Sequence, residues 1–277
     1  IIFGDDAVSP PDYIKNSFIN SGLLHILAAS GMNVALIYGI TYFILKRLRV
    51  PYKLSIITGM FTIILYTLMT GMGPSVIRAS IILLFVLLGK LIDRDAHSVS
   101  LLSFVALLML IYNPNYINDV GFQLSFTVTF GLLVMTEAIM NYTKFLHPAI
   151  SGMIITPIIA QIWVAPIQMY YFNTFSLYSV FANILSVPFL TIISFGGFTS
   201  AVLSLITPIT DFVCRVFDFI LNPVLTILVG ISQYFAKLPH SLLMLPQPSL
   251  VQIFLYYVTL MLIVSPLCAS LTKVLLI

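Results

Sequence analysis

The chain has 277 residues, of which 60% are hydrophobic and 8% charged, with a mean hydropathy of +1.10. A soluble domain carries about 25% charged residues, so this composition excludes an ordinary soluble globular protein and reads as a polytopic membrane protein. The net charge of +3 is too small, and the twelve basic residues too scattered toward helix ends, to argue for nucleic-acid binding by charge alone.

From Gly4 to Asn20 the sequence is polar, with Asp5, Asp6, Pro10, Pro11, Asp12 and Lys15. Residues 1–20 read as an extracytoplasmic approach segment ending in a short surface helix. No charged n-region with a cleavage site is visible, and the whole of 1–277 is expected to be one transmembrane domain cut from a longer polypeptide. The run from Gly22 to Leu45 follows, with His25, Ser30 and Asn33 inside it. About 20 apolar residues of helix cross the hydrocarbon core. At about 100° per residue, His25, Ala29, Met32, Asn33 and Leu36 share one broad face flanked by Gly22 and Ala28. A small-residue, polar face of this kind is expected against protein and not lipid.

The densest basic cluster, Lys46-Arg47-Leu48-Arg49-Val50-Pro51-Tyr52-Lys53, marks a cytoplasmic loop by the positive-inside rule. Spans are then expected at about Leu54 to Met69 and Pro74 to Leu91, joined by an outer turn at Gly71 to Pro74, with Pro74 suited to the first helical position. The loop with Lys90 and Arg94 returns inside. A span over Ser98 to Tyr112 leads to an outer turn at Asn113-Pro114-Asn115-Tyr116. Further spans are expected from Asn118-Asp119 to about Glu137 and from about Ile150 to Tyr171, the latter with Pro157 and Pro166 as kink sites. The run Tyr178 to Ile206 is long for one simple span and contains Gly196-Gly197; one tilted helix, two half-helices and a re-entrant pair all fit. Later spans cover about Asp211 to Phe235 and Leu250 to Leu271, separated by the proline-rich segment Leu238 to Ser249. The fold class is an all-α helix bundle of eight to ten spans. The two cysteines, Cys214 and Cys268, lie in separate apolar runs and support neither a disulfide framework nor a metal site.

Three polar constellations stand out beyond the His25 run. Arg78 lies about one turn inside a spanning helix, where a mid-bilayer arginine costs about 2.5–3.5 kcal/mol on insertion scales unless it snorkels. In Asn118-Asp119-Val120-Gly121-Phe122-Gln123-Leu124-Ser125, Asn118 is expected to cap the helix, with Asp119 in its first turn and Gln123 below it on the same face. Gln161, Gln168 and Asn183, with Ser186 and Pro188, read as interhelical hydrogen-bonding groups. The topology puts His25, Arg78 and Asp119 in the outer part of the membrane, which points to a shared polar vestibule there. An Arg78–Asp119 salt bridge is expected at its wall, with His25 and Gln123 as neighbours.

The segments Ile2-Phe3-Gly4-Asp5, His25 to Val34, Pro74 to Ala79, Asp119 to Phe126 and Ala182 to Pro188 resemble the competence domain of the ComEC family. One departure is Asn33, where many members carry a second histidine. The resemblance implies that single-stranded DNA crosses the bacterial cytoplasmic (inner) membrane through this bundle during natural transformation. It also implies extracytoplasmic DNA-receptor and nuclease domains or proteins, and a cytoplasmic DNA motor, as partners. His25, Asn33, Arg78, Asp119, Gln123, Ser125, Gln161 and Asn183 are the pathway-lining or structural candidates. No catalytic residue, metal or cofactor is expected. Two rival readings are a small-solute transporter, against which the missing internal repeat argues, and an intramembrane serine hydrolase using Ser30. On a continuous helix Ser30 falls about 140° from His25, so that pair cannot work together.

Overall fold

A computed structural model describes residues 10–27, 31–94, 97–143, 145, 147–206 and 210–274. Its helices are α1 (Asp12–Asn20), α2 (Gly31–Arg47), α3 (Tyr52–Met69), α4 (Pro74–Leu91), α5 (Ser98–Tyr112), α6 (Val120–Tyr142), α7 (Pro148–Phe172), α8 (Ser179–Ile206), α9 (Thr210–Lys237) and α10 (Leu250–Val274). Two short strands, β1 (Thr174–Ser176) and β2 (Leu242–Met244), pair antiparallel. The protein is a multi-pass membrane helix bundle. Seven candidate spans among the described residues are long and apolar enough to cross a bilayer, and α5 and the Leu250–Ser265 part of α10 are shorter apolar helices. Large apolar side chains such as Phe43, Phe61, Ile111 and Phe219 are exposed. On a soluble protein such a surface would aggregate; here lipid solvates it.

Local contacts fix the directions of the helices. The Ser75 hydroxyl donates to the Ser125 hydroxyl at 3.2 Å, which puts the N-termini of α4 and α6 at one end. Gln123 at the start of α6 donates to the Tyr171 hydroxyl near the end of α7 at 2.9 Å. The β1–β2 ladder joins the segment after α7 to the segment after α9. Ser21, just after α1, meets Ser232 near the end of α9 at 3.3 Å. All of these lie at one end of the bundle, the α1 end. At the opposite, basic end lie Lys46, Arg47, Arg49, Lys53, Lys90 and Arg94. Helix α5 therefore returns from the basic end although its 15 residues rise only about 22 Å; the 3-10 turn Pro114–Asn118 continues the chain at the α1 end.

Packing is divided among four apolar clusters. Val34, Ile37, Ile56, Ile63 and Val76 join α2, α3 and α4. Leu101, Val105, Met109 and Phe122 join α5 to α6, with partly buried residues of α4 against them. Met135, Ile155, Ile159, Trp163 and Val264 join α6, α7 and α10. Phe18, Leu23, Ala182, Ile193 and Leu228 join α1 to α8 and α9.

The expected single helix over Gly22 to Leu45 is not what forms. Helix α1 ends in a Schellman turn: Gly22 takes φ +74°, its N–H donates to Ile19 O at 3.0 Å, and Leu23 N–H donates to Phe18 O at 2.8 Å. Leu23 and Phe18 are both buried in the same cluster, the hydrophobic contact that accompanies this motif. A 3-10 turn at Leu24–Ile26 follows, and α2 is helical from Gly31. Ala28, Ala29 and Ser30 lie outside the described residues, and with them the Ser30 of the hydrolase reading. His25 lies in the 3-10 turn and Asn33 in α2, so the two do not belong to one described α-helix.

Elsewhere the boundaries follow the sequence closely. Of the alternatives for Tyr178 to Ile206, one continuous helix forms, with Pro188 inside it. The segment Leu238 to Ser249 is a loop that contributes β2, a strand the sequence reading did not anticipate.

Candidate functional site

Two hydrogen-bonded sets of polar groups lie toward the α1 end of the bundle. The first joins α7, α8 and the 3-10 turn. Ser179, near the N-terminus of α8 and buried, donates to Gln161 Oε1 on α7 at 3.0 Å and to Ser176 O at 3.1 Å. One turn along, the Asn183 amide donates to Ser179 O at 2.9 Å and hydrogen-bonds the His25 ring. His25 also hydrogen-bonds the Gly22 backbone, so the Schellman turn and α8 together hold the imidazole. Gln161 thus accepts a bond across α7 and α8, while Asn183 bonds within α8 and to the 3-10 turn. Gln161 Nε2 and the hydroxyls of Ser186 and Ser194, further along α8, are buried without partners. Such atoms are costly in an apolar interior.

The second set joins α4, α6 and the start of α2. Pro74 opens α4 at the first helical position, and one turn later Arg78 projects toward α6. Its Nη1 donates to Ser125 O and, at 2.6 Å, to the Thr129 hydroxyl. The guanidinium carbon stands 5.8 Å from the centre of the Phe126 ring, a cation–π distance. Ser125 and Thr129 are one turn apart, and the Thr129 hydroxyl itself donates to Ser125 O at 2.8 Å.

The expected Arg78–Asp119 salt bridge does not form. Asp119, and not Asn118, is the N-cap of α6: its Oδ1 accepts from Phe122 N–H at 2.7 Å. Asn118 closes the preceding 3-10 turn instead. A capping aspartate already has its charge complemented by the helix N-terminus. Arg78, facing a different stretch of α6, finds a carbonyl and a hydroxyl. Gln123 turns away from Asp119, donating to Ile117 O at 2.8 Å and to Tyr171. Asn33, 3% exposed, hydrogen-bonds the equally buried Tyr66 of α3. It therefore braces α2 on α3, whereas His25's partner is on α8.

Sequence reasoning missed Thr129 and Ser179. Thr129 was signalled by its position one turn after Ser125, and Ser179 by lying one turn before Asn183. A groove of about 550 Å³ also opens where α6 ends and α7 begins, away from these residues, beside Thr136, Glu137, Thr143 and Ser151.

A bundle of long apolar helices with apolar packing clusters and a lipid-suited surface, into which a few hydrogen-bonded polar groups are set, defines a multi-pass membrane protein. A family model described as competence protein matches residues 1–268, and the chain belongs to that family. It is 29% identical over 254 residues to the ComE operon protein 3 of Bacillus subtilis, covering 91% of this chain and 32% of that protein. An uncharacterized protein of Aquifex aeolicus is 31% identical over 138 residues, covering 49% of this chain and 32% of the relative. An uncharacterized protein of Mycoplasma genitalium is 25% identical over 179 residues, covering 63% and 44%. The chain thus spans less than half the length of each of these relatives. No solved structure matches it significantly.

Proposed function

We propose that this chain is the membrane conduit through which single-stranded DNA enters the cytoplasm during natural transformation, seated in the bacterial cytoplasmic membrane with its α1 end outward and its basic end inward. The observation that carries this reading is the competence-family match across residues 1–268. The polar groups at the α1 end give it physical support. A polyanion in transit needs sites favourable enough for entry and weak enough for release. Amides, hydroxyls and aromatic rings meet that need better than a row of lysines, because bases stack on rings regardless of sequence. In this reading the chain conducts and does not cut. Strand degradation belongs to extracytoplasmic nuclease and receptor domains or proteins, and pulling belongs to a cytoplasmic motor.

The test is uptake of labelled DNA and labelled small solutes in cells lacking the gene. Loss of DNA entry with unchanged solute entry, restored by the intact gene, is the expected result. Loss of solute entry with normal transformation would replace the conduit with the transporter reading.

A further inference from the structure

The groove where α6 ends and α7 begins lies at the basic end of the bundle, away from the two polar sets, and has a volume of about 550 Å³. Its lining is graded along α6. Leu132 and Leu133 form the deeper part, and Glu137, Asn141, Thr143 and Ser151 follow toward the helix ends. Leu133, Glu137 and Asn141 stand at i, i+4 and i+8, one above the other on a single face. Leu133 and Glu137 are exposed, as are Tyr142 and Phe145 at the turn into α7, so this face looks toward lipid.

Glu137 is out of place on such a face. Residue 131 is the midpoint of α6, and Glu137 lies beyond it by about 9 Å at 1.5 Å per residue. With α6 centred in the bilayer, that depth falls inside the roughly 15 Å half-thickness of the hydrocarbon core. A carboxylate there is costly without a cation. Yet Glu137 makes no ion pair or hydrogen bond with another described residue, and none of the described residues lining the groove is basic. The hydroxyls beside it are acceptors too. Thr143 donates to Met140 O at 3.2 Å, so in its 2.5 Å contact with Ser151 the Ser151 hydroxyl is the donor. Both protons are thereby used, and the two oxygens have only lone pairs left to offer. Asn141, one turn nearer the helix end, has an Nδ2 that can donate to an anionic group.

We propose that this groove binds a phospholipid whose headgroup ends in a primary ammonium, with the ammonium at Glu137 and an acyl chain along Leu132 and Leu133. The ammonium brings three N–H donors to a carboxylate and to hydroxyl oxygens that can only accept. A quaternary choline head has no such donor, and a glycerol head leaves the negative phosphate uncompensated beside Glu137. Asn141 serves the phosphate of the same lipid. The apolar-to-polar gradient of the lining fits a lipid standing at the bilayer surface better than a soluble amine. The site does not depend on what the bundle conducts.

The intact protein in detergent is offered equal amounts of palmitoyl-oleoyl phosphatidylethanolamine, phosphatidylcholine and phosphatidylglycerol, and bound lipid is counted by native mass spectrometry. One ethanolamine lipid should be retained about tenfold over either rival, the factor expected of one charge-assisted hydrogen bond. Glu137→Gln should remove that preference, and Glu137→Lys should turn it toward phosphatidylglycerol. Because Glu137 is exposed, both variants should melt like the wild type in lipid-free detergent, which separates loss of the site from loss of the fold. Should a variant melt early, the wild-type competition decides alone. Equal retention of the three lipids by the wild type overturns the site, as does an ethanolamine preference that survives in Glu137→Gln. Displacement of the lipid by free ethanolamine or a trilysine peptide at equal concentration would assign Glu137 to a soluble cation and overturn the lipid site as well.

Discussion

Replacing Gly131 with alanine should force α6 and α7 apart. A Cβ at Gly131 would stand 2.4 Å from Cδ1 and Cγ of Trp163 and 2.6 Å from its Cδ2. Carbon atoms in good contact are about 3.5–4.0 Å apart, so roughly 1 Å of separation must be found. The indole cannot supply it by rotating. It is 2% exposed, its Nε1 donates to Met135 Sδ at 3.0 Å, and it packs edge-on to Phe130 at 5.5 Å. The Trp163 carbonyl also accepts from the Tyr257 hydroxyl of α10 at 2.7 Å, so a shift of α7 disturbs a third helix. Overpacking of this kind costs about 1–3 kcal/mol, and a rigid ring favours the upper part of that range. Trp163 is the only tryptophan in the chain, so its intrinsic fluorescence reports the displacement without labelling. Gly131→Ala should melt earlier in detergent and shift the emission spectrum. Combining it with Trp163→Leu should give less than the sum of the two single losses, a coupling within about 0.5–3 kcal/mol. Wild-type emission and melting in Gly131→Ala, or strict additivity in the double variant, would refute the close-approach argument.

The other predictions concern the α1 end. Asp119→Ala should cost about 1 kcal/mol in a thermal melt through loss of the α6 cap, while Asp119→Asn, which can still accept from Phe122 N–H, stays close to wild type. For the same reason the exchange Arg78→Asp with Asp119→Arg should recover no uptake; recovery above the worse single variant would restore the salt bridge. Cysteines at Phe175 and Leu243, directly opposite in the β1–β2 ladder, should form a disulfide on mild oxidation in intact cells; absence of the cross-link at normal abundance would dissolve the ladder. Cysteines at Gly71 and Asn115 should react with an impermeant thiol reagent from outside and one at Arg47 should not, the reverse pattern inverting the orientation.

How much was legible depended on which force set each feature. Span boundaries at α3, α4, α6 and α9 were readable because hydropathy and basic loop residues act through the bilayer, which sees composition and not partners. Proline at the start of α4 acts equally locally. The run after Asn20 misled for a local reason too: Gly22 was read as a small packing residue within a helix, but its positive φ ends one helix and turns the chain before the next. Composition over a long window cannot register a single reversal inside an apolar stretch.

What the sequence by itself determined is therefore the membrane class, the helical architecture, the approximate spans and, through the wording of its motifs, the family. The partner of each polar side chain was decided only in three dimensions. Asp119 and Arg78 have opposite charges near the same end of the bundle, and sequence logic paired them. In the fold, a short carboxylate at a helix start is bonded by the nearest backbone N–H before any distant cation can compete, while the long arginine reaches the Ser125 carbonyl and Thr129 about two to three turns further along α6. His25 and Asn33 were separated by the same logic, one turned to α8 and the other to α3. Hydrogen bonds are satisfied over about 3 Å, and which groups come within that distance depends on helix rotation and crossing, which apolar packing sets and a linear pattern of residues does not contain.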